Sequence, residues 1–61
     1  MSAQIIAALR KRAQELQDAQ EYGALHGDKP EDVKVQIRGT LIQEFRALAD
    51  EAEQLAPRGG L

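Results

Sequence analysis

Apolar positions recur at helical spacing through two segments, residues 3–25 and 30–56. Both are rich in Ala, Leu, Gln, Glu and Arg, which favour helices. In the first segment Ile5, Ile6, Leu9, Ala13, Leu16, Gly23 and Ala24 share one arc of about 100° on a helical wheel. The second segment is different. Ile37, Leu41, Leu48 and Leu55 make one row, Val35, Ile42, Ala49 and Ala56 make another, and Phe45 and Ala52 run between them. That apolar arc spans about 160°, wider than one neighbouring helix covers.

The punctuation sets the element ends. Gly23, Gly27 and Pro30 cluster in the middle, and Pro57, Gly59 and Gly60 close the chain. Ser2 reads as the N-cap of the first helix, and Gly27 reads as the residue just past its end. Asp28 is expected to cap the second helix, with Glu31 three residues on as in a capping box and Pro30 in the first turn. Glu31 and Asp32 also place negative charge at the positive end of the helix dipole. Pro57 forbids continuation. The expected order is therefore helix 3–25, turn 26–29, helix 30–56 and a flexible tail 57–61. Each helix would be about 35–40 Å long, and matched rods with a short link predict an antiparallel hairpin. One stretch competes: Val33, Val35 and Ile37 alternate with polar residues, which is strand periodicity. A strand over 33–38 would need a second edge, which only another chain could supply as a two-stranded ribbon.

Composition sharpens this picture. The chain has 61 residues, 43% hydrophobic and 30% charged, with no cysteine and one histidine. A core of this size supplies at most about 3–5 kcal/mol, and disulfides, thiolate sites and a zinc site built on His26 alone are all ruled out. Association is the remaining staple. The fold class expected is all-α: an antiparallel helical hairpin that assembles into a four-helix bundle as a homodimer. A net charge of −2 argues against bulk attraction to nucleic acid or anionic lipid. No membrane span, leader segment or cofactor is expected, and a cytoplasmic location fits. With a turn near residue 28, Arg10 and Arg12 should lie beside Glu44, and Asp18 and Glu21 beside Arg38 and Lys34. Such exposed pairs choose orientation more than they stabilise.

The residues able to carry chemistry are few. Arg10, Lys11 and Arg12 form the one basic cluster: a salt-bridged solvent face, a contact for an acidic protein, or a phosphate contact. Asp50, Glu51 and Glu53 form an acidic patch that serves solubility or a basic partner near Leu55. Gln20, Lys34 and Arg38 project into apolar stripes at the loop end. They imply a wet, splayed end, a register-setting network, or a site for an anion or partner carboxylate. Gly39 permits a close crossing or a kink. His26, near Tyr22, Asp28 and Lys29, lacks a nucleophile or oxyanion donors and reads as a loop residue, so an enzyme is not expected. Leu61, behind two glycines, offers a terminal ligand only if ordered.

The favoured function is a non-enzymatic protein–protein interaction module (an adaptor, inhibitor or chaperone-like subunit) that self-associates and shows a helical apolar face to an unidentified protein. Its expected face comprises Val35, Leu41, Ile42, Phe45, Leu48, Ala49 and Leu55, with Val35, Ile42 and Ala49 as partner anchors. Ile42→Asp should then lower the oligomer mass while the chain stays helical. A lone compact chain hiding Val35, Ile42 and Phe45 internally would contradict the reading. The alternative is a small dimeric nucleic-acid-binding regulator that uses Arg10, Lys11 and Arg12, with binding that weakens steeply with salt.

Overall fold

The computed structural model describes residues 2–55, which form two helices, α1 (Ser2–Leu25) and α2 (Val33–Leu55), packed on each other as a helical hairpin. Arg10 lies level with Asp50 and Glu53, and Gln20 level with Val35 and Arg38, so the helices run antiparallel. The molecule is a rod, 47 × 15 × 12 Å. The tail 57–61, Ala56, the Pro57 stop and Leu61 lie outside the described residues.

The seam is built on 3–4 spacing in both helices. Ile6, Leu9, Ala13, Leu16, Gln20 and Gly23 from α1 meet Val35, Arg38, Ile42, Phe45, Ala49 and Ala52 from α2, and all twelve are buried or half-buried. Among the described residues three side chains are buried: Ala13 and Ala49 at 0% and Ile42 at 4% exposure. Two of these are alanines, which let the backbones approach closely. Burying the isoleucine contributes about 1.5–3 kcal/mol and the alanines less.

The 33–38 stretch is helical, as the expected second helix requires and not the competing strand, because the seam positions Val35 and Arg38 continue the stripe of Ile42 and Phe45. Other expectations are corrected. α1 begins with Ser2 itself, whereas α2 begins at Val33, three residues beyond Pro30. Asp28 does not cap α2. Instead Lys29–Asp32 forms a turn with Pro30 second: the Asp32 N–H donates to the Lys29 carbonyl at 3.0 Å, and the Lys29 N–H donates to the Asp32 carboxylate at 3.3 Å. The Asp32 side chain thus reaches back into the loop from the residue just before α2, which is not the capping box expected of Asp28 and Glu31. The Asp32 carbonyl then accepts from Val35 and Gln36 as the helix starts.

At the other side of the loop α1 ends as its sequence implies. Gly27 has φ +109°, and the Asp28 N–H donates back to the Gly23 carbonyl at 2.8 Å, the six-to-one bond of a glycine-terminated helix. The longer connection shifts the register toward the open end. Arg10 therefore pairs with Asp50 and Glu53 rather than lying against Glu44. Arg12 turns to Glu15 on its own helix, Asp18 accepts from Gln14, and Glu21 accepts from Gln17.

Candidate association face and loop-end network

The second apolar row of α2 points away from α1. Ile37 is 55% exposed, Leu41 41%, Leu48 48% and Leu55 79%. Leu41, Leu48 and Leu55 are seven residues apart, so they stay in line on one flank of the seam. At about 100° per residue, Ile5, Ala8 and Ala19 of α1 fall on that same flank, and all three are exposed. The opposite flank is polar: it carries Gln14, Glu21, Gln43 and Asp50, together with the Arg10 ion pairs, 3.2 Å to Asp50 and 3.0 Å to Glu53.

The row that sequence reasoning assigned to a partner is thus the wrong one of the two. Ile42 and Ala49 are buried, and Val35 and Phe45 half-buried, against α1. Ile42 and Ala49 are thus not free anchors, and of Val35, Ile42 and Phe45, whose joint hiding would contradict the whole association reading, only Ile42 is fully buried. Leu41, Leu48 and Leu55, also assigned to the face, remain outside. A small groove lined by Gln36, Ile37, Thr40 and Leu41 opens at the loop-proximal end of this row.

Gln20, Lys34 and Arg38 come together in a polar network closed by a fourth residue, Asp28. The Gln20 amide donates to the Val35 carbonyl at 2.8 Å, and its oxygen accepts from Arg38 Nε. Arg38 Nη2 donates to Asp28 Oδ2 at 3.0 Å, and Lys34 Nζ meets Asp28 Oδ1 at 3.1 Å. Asp28 is thus the carboxylate that these cations bind. Its pKa lies below the ordinary carboxylate value, first because the Lys34 ammonium donates to it and then because Arg38 does, against an opposing cost of partial burial. Gly23 makes room for this carboxylate. A Cβ there would overlap Asp28 Oδ2, lie 2.9 Å from its Cγ and approach Arg38 Nη2 to 3.3 Å. At Gly39 a Cβ would meet only Gln20 Nε2, at an ordinary 3.5 Å.

The remaining candidates are dispersed. Arg10 and Arg12 are each committed to carboxylates, and exposed Lys11 pairs with no carboxylate among the described residues. Asp50 and Glu53 of the acidic patch answer Arg10, which leaves Glu51 in solvent. The His26 ring sits 4.1 Å from that of Tyr22, while its N–H closes the end of α1 on the Tyr22 and Gly23 carbonyls. Among the described residues no three His, Asp or Glu side chains gather where they could hold a metal ion, and no helix is long and apolar enough to cross a membrane. Comparison with protein-family models, with characterised proteins and with solved structures finds no match.

Proposed function

We propose that this chain is a non-enzymatic association module: a helical hairpin that self-associates through the apolar flank of α2 and, once assembled, offers helical surface to a partner protein. The observation that carries this reading is the Leu41, Leu48 and Leu55 row, left bare beside a seam that, among the described residues, buries Ala13, Ile42 and Ala49. A four-helix bundle formed by two hairpins is the arrangement that covers such a flank most simply.

The test is a charge on the bare row. Leu48→Asp should shift the mass in solution to that of a single chain. Gln43→Asp, on the polar flank of the same helix, should leave the mass unchanged. A wild-type chain that is monomeric at high concentration, or a Leu48→Asp chain that associates like the wild type, overturns the proposal. Nucleic-acid binding is the weaker reading, because two of the three cluster cations already answer carboxylates of this chain.

A further inference from the structure

The apolar flank can face a copy of itself in two directions, and the two differ in the charges they bring together. Facing flanks of two hairpins can be related by a two-fold axis along the rod, which sets loop end beside loop end and α2 over α1. They can instead be related by an axis across the rod, which sets loop end over open end and each helix over its own equivalent. The ion pairs and hydrogen bonds that fix the register place the middle of the rod near Ala13–Gln14 of α1 and Glu44–Phe45 of α2.

Reversal about that middle brings like positions into useful pairs. Leu41 meets Leu48 of the second copy, and Leu48 meets its Leu41. Ala8 meets Ala19, where small residues permit close approach. Arg12, half-exposed at 59%, meets Glu15, exposed at 50%, so each guanidinium is shared between its own carboxylate and the other copy's. Exposed Lys34 at the loop end comes over Leu55 and near Glu51 at the open end. The loop-to-loop arrangement sets Arg12 beside Leu48 instead of Glu15 and brings the two loop ends together, each with the two cations Lys34 and Arg38 on the one Asp28 carboxylate, which gathers like charges.

We infer that the occupant of this flank is a second copy of the chain in antiparallel register, with Leu41 on Leu48, Ala8 on Ala19 and Arg12 on Glu15, and the two loop ends at opposite poles of the bundle. This rests on the self-association proposed above. It also places the two Asp28, Lys34 and Arg38 networks at the far ends of the assembly, out of each other's reach.

The chain has no cysteine, so introduced thiols report position without interference. Single variants Ala8→Cys, Ala19→Cys and Leu41→Cys are oxidised alone and in pairs, with far-UV circular dichroism confirming that each stays helical. The antiparallel register predicts that mixed Ala8→Cys and Ala19→Cys chains cross-link up to the statistical share of mixed dimers. Neither variant should cross-link alone, nor should Ala19→Cys with Leu41→Cys. Cross-linking of the Ala19→Cys and Leu41→Cys mixture instead identifies the loop-to-loop arrangement and overturns this inference while leaving self-association intact. A dimeric mass without either cross-link also overturns the register. A monomeric mass overturns both.

Discussion

Two glycines inside helices have opposite meanings, which the space around them decides. Gly39 has only the Gln20 amide within ordinary contact, so Gly39→Ala should raise stability by about 0.5–1 kcal/mol through reduced chain entropy and better helix propensity. Gly23 faces the Asp28 carboxylate, and a methyl group there displaces it. Gly23→Ala should lower stability by about 1–2 kcal/mol despite the same gain in propensity. Thermal or urea unfolding of the two variants checks the pair, and equal shifts in one direction would contradict the assigned geometry. Asp28 itself predicts a pH effect. Its folded pKa is depressed, so its contribution is fully present above the unfolded value of about 3.9 and is lost as pH falls through the lower folded value. Asp28→Asn should therefore lower the melting temperature at neutral pH, with the gap to wild type closing only below about pH 4. A gap that persists at pH 2 would show that the carboxylate's charge is not what matters. At this scale the sequence was partly legible. Gln20, Lys34 and Arg38 were recognisable as polar intruders in apolar stripes. Their carboxylate went unrecognised, because an Asp before a proline-led helix resembles a cap, and the one cue was a glycine five residues earlier.

At the scale of the element, α2 is a helix with two apolar rows and one neighbour. The wheel showed the excess but not which row would turn inward, since Val35, Ile42 and Ala49 are no more apolar than Ile37, Leu41 and Leu48. Close approach decides it. The row carrying Ala49 can sit against Ala13, and Arg38 on the same seam finds Gln20, whereas a row of leucines would hold the helices apart. The assignment of rows gives Ile42 and Leu48 different roles. Ile42→Asp puts a carboxylate into a site with 4% exposure and should abolish helicity at every concentration, at a cost of about 3 kcal/mol or more. Leu48→Asp should remove association and lower helicity only to the level that dilution of the wild type reaches. Circular dichroism beside mass measurement separates the two, because Ile42→Asp should fall below that level, and an Ile42→Asp chain that remains fully helical would contradict the seam. The start of α2 was misplaced for a local reason: Pro30 suits the second position of a turn as well as a helix's first, and the Lys29–Asp32 bonds select the turn.

For the whole molecule the hairpin plan was legible, because two stripes, a glycine stop and a proline-bearing loop agree with one another. The plan also supports the proposal that a second copy completes the molecule. Among the described residues the seam encloses one isoleucine and two alanines, while five large apolar side chains of α2 (Val33, Ile37, Leu41, Leu48 and Leu55) stay in contact with water. Ordering the backbone of even a short chain costs about 1–2 kcal/mol per residue, so the proposed self-association would couple folding to assembly. The most direct test is circular dichroism and sedimentation mass on one dilution series, from high micromolar to nanomolar. The account requires helicity and melting temperature to fall together with the mass as dimers dissociate. A single chain that keeps full helicity and a constant melting temperature across the series would contradict it.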